Sequence, residues 1–250
     1  MIYGLYNSAA GMMVNEYRQN VISNNLANAE TTGFKRDVAV FAERTPASLA
    51  GVRRGASQRD LQAMSGGMWL GRTFTDHSEG TKVLTDNELD ITLEGPGFLA
   101  VNQGGQVAYT RDGRLMMDAD GQLVSVVDGA SVLARGGAPV MLNRLGGQPE
   151  IDTDGRVSQD GNVVATLEIV DFENHAAMKK VGDNRFAAPA DLAVPSPALV
   201  RSGYTESSGV EPVKELVGMI EASRAYQLNA EMLKMQDTSV GQLINVIARG

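Results

Sequence analysis

The chain has 250 residues, 43% of them hydrophobic and 21% charged, with a net charge of -8. These proportions belong to a folding chain, long enough for one large domain or two smaller ones, and not to a disordered one. With no cysteine and two histidines, disulfides and thiol chemistry are excluded and soft metal ligands are scarce.

Lysine and arginine runs go no further than pairs such as Arg53-Arg54 and Lys179-Lys180, so the basic footprint of a nucleic-acid reader is missing. No run of eighteen apolar residues occurs, so no membrane-spanning helix and no membrane insertion are expected. The N-terminal sequence MIYGLYNSAAGMM lacks the basic region and continuous apolar stretch of a cleavable signal, so any export is expected to use another route.

Residues 1 to about 29 read as a helix with a patchy apolar stripe. Ile2, Leu5, Ala9, Met12, Ile22 and Leu26 fall on one side, interrupted by Glu16, Gln19 and Ser23. Gly4 and Gly11 each cost about 1 kcal/mol relative to alanine, so this helix is marginal alone and depends on packing against something else. Ser23 to Asn28 and Ala29 to Lys35 then read as a frayed helix end entering a polar loop, with Gly33 placed for a turn or a C-cap. Residues 37 to about 72, punctuated by Pro46, Gly51, Gly55 and Gly66-Gly67, read as a connector, partly extended or flexible.

From about Phe74 to Val200 the pattern is that of strands and turns. Glu88 to Leu93 alternates polar and apolar residues, and Phe98 to Val101 reads as a buried strand. Asp-Gly pairs at 112–113, 120–121, 128–129, 154–155 and 160–161 are hairpin signals, because a tight turn between twisted strands favours positive φ at its centre. The same turns account for Asp118-x-Asp120-Gly and Asp152-x-Asp154-Gly, which lack the further oxygen ligands of a calcium loop. His77 and His175 stand alone in the sequence, and neither a nucleophile elbow nor a phosphate-cradling loop is present. No metal, cofactor or catalytic constellation is expected.

Ser207-Ser208-Gly209-Val210-Glu211-Pro212 provides a helix start, with capping-box spacing from Ser208 to Glu211. From there to Gly250 two rows repeat every seven residues: Leu216, Ser223, Ala230, Asp237 and Ile244, and Met219, Tyr226, Leu233, Val240 and Ile247. Such spacing marks a helix that lays a narrow stripe on partner helices. At 1.5 Å per residue it would run about 50 to 60 Å, longer than this chain needs for its own core. The expected fold class is mixed: terminal helices of coiled-coil type that pair with each other, around a central all-β domain.

Seven blocks of the sequence, in order, resemble the bacterial flagellar rod and hook proteins. Ser23-Asn24-Asn25-Leu26-Ala27-Asn28 running into Thr32-Gly33-Phe34-Lys35 is similar to that family's N-terminal signature. Leu89-Asp90-Ile91 with Glu94-Gly95-Pro96-Gly97-Phe98, Tyr109-Thr110-Arg111-Asp112-Gly113, and Asp120-Gly121-Gln122-Leu123 resemble the next three blocks. Gly182-Asp183-Asn184-Arg185-Phe186 and Gly203-Tyr204 with Glu206-Ser207-Ser208 resemble two later ones. Glu215-Leu216-Val217 and Met219-Ile220-Glu221-Ala222 with Arg224-Ala225-Tyr226 resemble the C-terminal motif.

The resemblance implies a non-enzymatic structural subunit of the flagellar basal-body rod. It would assemble helically with identical and related rod and hook proteins into a drive shaft and export-channel wall, after passage unfolded through the flagellar type III apparatus without a cleavable signal. It further implies a helical assembly domain of residues 1–36 plus 205–250, a connector of 37–73 and a β-rich outer domain of 74–204. Subunit contacts are expected at Leu5, Met12, Asn24, Asn25, Leu26, Asn28, Gly33, Phe34, Leu216, Met219, Tyr226, Leu233, Val240 and Ile244.

Chain length leans the expectation towards the proximal rod protein, while Asn24-Asn25 and Arg224-Ala225-Tyr226 look like the distal one. The alternative of another class is a secreted β-rich binding protein or adhesin whose helices form a stalk. A hydrolase using Asp152, Asp154 and Asp160 is set aside, since all three lie at turn positions.

Overall fold

The structure, a computed structural model, describes residues 2–43 and 67–247. Of the connector expected at 37–73, residues 44–66 lie outside the described residues, as does the helix end at 248–250. Two helices flank a β-rich middle, α1 (Ile2–Ala27) and α2 (Pro212–Ile247). At 36 residues, α2 is about 54 Å long. Pro212 opens it as the first helical residue, where the missing N–H costs nothing. Ser208 does not cap this helix; its hydroxyl accepts from the Val210 N–H at 3.3 Å.

The chain divides into two units. Among the described residues the first holds α1, α2 and two mutually paired strands, β1 (Asp37–Glu43) and, up to Phe74, β2 (Met68–Thr75). In it α1 and α2 run side by side in opposite directions: Gly4 lies at Gln236, Gly11 at Asn229 and Ile22 at Gly218. A Cβ on Gly4 or Gly11 would come within 2.8 Å of those long side chains. The glycines that cost helix propensity are the places where a polar side chain of α2 presses against the α1 backbone. Gly218, Ala222, Asn229 and Gln236 therefore form the seam, one register away from the apolar row Met219, Tyr226, Leu233 and Val240, which is half-buried.

The second unit holds residues 28–36 and 75–210. Its strands are β3 (Lys82–Leu84), β4 (Ile91–Glu94), β5 (Phe98–Gln103), β6 (Gln106–Thr110), β7 (Leu115–Met117), β8 (Leu123–Ser125) and β9 (Ser131–Val132). They continue as β10 (Glu150–Ile151), β11 (Arg156–Gln159), β12 (Asn162–Thr166), β13 (Ile169–Phe172), β14 (Lys179–Gly182), β15 (Arg185–Ala187), β16 (Ala193–Pro195), β17 (Leu199–Ser202) and β18 (Tyr204–Glu206). The largest sheet has the order β14-β15-β6-β5-β9-β8-β7, with β13 also pairing β5.

Strand β5 divides the interior in two. Leu99 and Val101 join Ile91, Leu115, Leu123, Val132 and Val157 on one side. Phe98 and Ala100 join Tyr109, Phe172 and Phe186 on the other. A strand covered on both faces reads as an unbroken apolar run, as Phe98 to Val101 does. The alternation from Glu88 to Leu93 does not survive: Glu88 and Leu89 precede the strand, and Ile91, Thr92 and Leu93 are all buried where β4 pairs β17.

Four of the five Asp-Gly pairs connect paired strands: 120–121 joins β7 to β8, 128–129 joins β8 to β9, 154–155 joins β10 to β11, and 160–161 joins β11 to β12. Asp160 and Gly161 both have positive φ, 52° and 76°, as a two-residue hairpin turn requires. Asp112-Gly113 is different. It separates β6 from β7, which do not pair, and the Gly113 carbonyl accepts from the Ile91 N–H at 2.9 Å. A Cβ there would lie 1.8 Å from the Ile91 carbonyl oxygen, so the glycine serves a close backbone approach and not a hairpin.

Candidate assembly interface

A helix needs one covered stripe to be stable, and apolar residues left outside that stripe require a partner. On α2 the inner stripe is the seam against α1. Outside it, Val213 is followed at three-four spacing by Leu216 and Val217, and these by Ile220, all exposed. Leu228, Met232 and Met235 repeat the pattern further along, and Leu243 and Ile244 end it. On α1, Tyr6 and Met13, one heptad apart, are about 70% exposed, at 72% and 70%. Both helices thus carry apolar faces that nothing among the described residues covers. Among the described residues, no helix is long and apolar enough to cross a membrane.

The fourteen residues expected at subunit contacts separate into three groups. Leu216 and Ile244 are exposed on α2 and Asn24 is exposed near the end of α1. Leu5, Met12, Leu26, Met219, Tyr226, Leu233 and Val240 are half-buried along the helices, and Asn28 is half-buried just past α1. Asn25, Gly33 and Phe34 are buried inside the chain. Asn25 brackets the start of β1, donating from Nδ2 to the Asp37 carbonyl at 2.8 Å and accepting from the Asp37 N–H at 2.9 Å. Its amide imitates a strand neighbour, which explains an asparagine at a buried helix position. Asn28 accepts from the Thr31 N–H and hydroxyl, turning the chain after α1.

Gly33 has φ 66° and donates its N–H to the Glu206 carbonyl at 2.7 Å. A side chain there would meet the Arg111 carbonyl at 2.5 Å. Beside it the Lys35 ammonium, fully buried, donates to the Glu206 carboxylate at 2.5 Å and to the Ser78 carbonyl at 2.7 Å. The same carboxylate accepts from the Gly80 N–H and, at 3.4 Å, from Arg111, whose other nitrogen reaches the Gly95 carbonyl. Burial pulls the Lys35 ammonium below the ordinary lysine range, and Glu206 partly offsets that. This cluster was not legible in the sequence, because its members are 171 residues apart from Lys35 to Glu206.

The two histidines are not alone. Their rings stand 4.9 Å apart, with Phe98 and Phe186 packed against His77 and Asp171 bonded to His175 at 3.0 Å. Burial first, then His175 and the nearby Lys35, Lys180 and Arg111 cations, push His77 down to about 4. A pocket so rich in positive charge repels a metal ion, and among the described residues no group of three or more His, Asp or Glu side chains is placed to hold one.

Comparison with known proteins agrees with the sequence blocks. Residues 5–35 match the family described as Flagella basal body rod protein, 92–165 the Flagellar hook protein FlgE/F/G D1 domain, and 201–246 the Flagellar basal body rod FlgEFG protein C-terminal. The chain is 30% identical to the flagellar basal-body rod protein FlgG of Buchnera aphidicola subsp. Schizaphis graminum, over 97% of this chain and 99% of that one. It is 28% identical to FlgG of Bacillus subtilis over 98% and 99% of the two chains. It is 33% identical to the rod protein FlgF of Caulobacter vibrioides over 92% and 91%. The chain belongs to the flagellar basal-body rod proteins, structural subunits of the bacterial flagellum.

Proposed function

We propose that this rod subunit assembles helically with copies of itself and with related rod and hook proteins, through the outer faces of α1 and α2 paired as a coiled coil. The observation that carries the reading is the apolar face of α2 running from Val213 to Ile244, exposed along a helix longer than its antiparallel partner. Identical subunits joined by heterologous contacts that do not close on themselves generate a helical tube. Helices laid along its axis would give many contacts per unit length against torque. The helical unit, with β1 and β2, serves as the assembly part and the β unit as the outer domain.

In this reading the subunit reaches the growing rod unfolded through the flagellar type III apparatus, and it binds no nucleic acid and enters no membrane. The segment of the rod is proposed to be that of FlgG, the distal one. Chain length, which leaned towards the proximal protein, loses its force when FlgG relatives are matched over 99% of their own length.

Ile220→Asp tests the proposal, since it places a charge on the outer face 54% exposed in the free subunit. The expected outcome is a folded protein that no longer enters basal bodies or restores motility to cells lacking FlgG. Normal incorporation of the variant would overturn the interface. Rescue by the parent chain of cells lacking FlgF, and not of those lacking FlgG, would return it to the proximal position. A soluble oligomer of fixed size would favour the adhesin reading.

A further inference from the structure

Residues 28–36 belong to the β unit by their contacts but not by their chemistry. They pair with none of its sheets, and their one buried apolar side chain, Phe34, lies outside both apolar clusters. Polar contacts to two distant stretches, 180–184 and 206–209, hold the segment instead. Gly33 donates to the Glu206 carbonyl and Gly209 donates to the Phe34 carbonyl. Asn184 donates to the Thr32 carbonyl at 2.7 Å, and Lys180 to the Lys35 carbonyl at 2.6 Å, its ammonium lying 4.3 Å from the Phe34 ring centre. The buried Lys35–Glu206 pair closes the set.

We propose that residues 28–36 are a latch, the last part of the β unit to close as the chain folds and the first to open. Two features of the segment set that order. It contributes little of the apolar burial that protects the sheets, and regions poor in such contacts open at the lowest free energy. Its central pair joins positions 171 residues apart, so the loop entropy of closing it is met only after the intervening strands have formed. A chain that has not yet presented Glu206 leaves the Lys35 ammonium without its carboxylate, and an unpaired ammonium stays in water. The N-terminal signature thus reads whether the far end of the β unit is present. This inference is independent of how subunits assemble.

Amide hydrogen exchange of the full-length protein under native conditions tests it. The Gly33 and Gly209 amides, bonded across the latch, are expected to exchange at least about tenfold faster than those of Ala100 and Leu133, bonded within the sheet. Glu206→Gln, which keeps shape and removes charge, is expected to widen that gap about tenfold further with Ala100 and Leu133 unmoved. Equal rates at all four amides in the parent protein, or equal acceleration of all four in the variant, would overturn the latch. Brief trypsin digestion of the parent protein gives a second reading that needs no variant. First cleavage after Lys35, ahead of the buried Arg111 and Arg185, supports the latch, and cleavage at those arginines first or together with it refutes it.

Discussion

In the β unit a lysine, an arginine and a glutamate are sealed from water, while in the helical unit leucines, isoleucines and methionines stand in it. Lys35, Arg111 and Glu206 are each 5% exposed or less, whereas Leu216, Ile220, Leu228 and Met235 are about half exposed or more. Burying charge is costly unless every charge is paired and bonded, and Glu206 meets that condition with Lys35, Arg111 and the Gly80 amide. Exposing apolar surface along a helix is costly unless a partner covers it. The β unit therefore meets its buried charges with partners of its own. The helical unit leaves much of its apolar surface in water, as the proposed assembly through these faces requires.

The largest expected effect comes from breaking the sealed side of that comparison. Lys35→Met removes the ammonium and leaves Glu206 buried beside a weaker partner, Arg111 at 3.4 Å. Loss of one member of a buried pair costs about 3–5 kcal/mol. Amide hydrogen exchange at Gly33 and Gly209, bonded beside the pair, is expected to show that loss, with Ala100 and Leu133 unmoved. A change under about 1 kcal/mol would mean that the pair is dispensable and that the surrounding backbone bonds hold the site.

The sequence showed the two sides of the comparison unequally. The terminal helices, the β-rich middle and the buried run from Phe98 to Val101 were legible because periodicity and turn residues are local signals. Asp160-Gly161 reported its hairpin faithfully, while Asp112-Gly113 used the same two letters for a close approach to Ile91. Local chemistry does not say which strand comes past. The glycine and amide contacts of the α2 seam were missed for a similar reason: Gly4 and Gly11 admit Gln236 and Asn229, and a search for apolar rows passes over contacts made by glycine and amide. Phe34 and Gly33 looked like surface motif residues because the pocket that receives them is built by Glu206, Arg111 and Asn184. Long-range pairing of this kind leaves no periodic trace.

A smaller effect, and one that sharpens the sealed side, is expected on lowering pH. His77 is held at about 4 in the folded chain against 6.5 when free. Because the folded value is the lower one, the unfolded chain binds more protons between those limits, and stability rises with pH through the window. It is complete above pH 6.5 and lost progressively as pH falls to 4, by at most about 1.4 kcal/mol per pH unit and less where water reaches the ring. Midpoints of thermal unfolding at pH 7, 6, 5 and 4 would show the slope against a His77→Asn variant, which is expected to flatten it. An identical slope in the variant would assign the pH dependence to the carboxylates.

The smallest effect on the free subunit is the most informative about the open side. Leu228→Ser and Met235→Ser alter two α2 residues, each 62% exposed, and surface substitutions of this kind change stability by no more than about 0.5 kcal/mol. An ordinary surface would end the matter there, with unfolding and assembly both unchanged. A face whose burial waits for a second subunit behaves otherwise: the free protein loses nothing, because those side chains were in water already, while each assembled contact loses the transfer of a leucine or methionine out of water, about 1.5–3 kcal/mol. Repeated at every subunit of a helical rod, that loss is expected to raise the concentration needed for polymerisation at least tenfold with no shift in the unfolding midpoint of the monomer. Sedimentation of the two variants beside the parent chain measures the first quantity, and thermal melting measures the second. If both move together, Leu228 and Met235 support the subunit's own fold and the apolar face is part of its interior after all; if only the first moves, the helix carries the surface on which the rod is built.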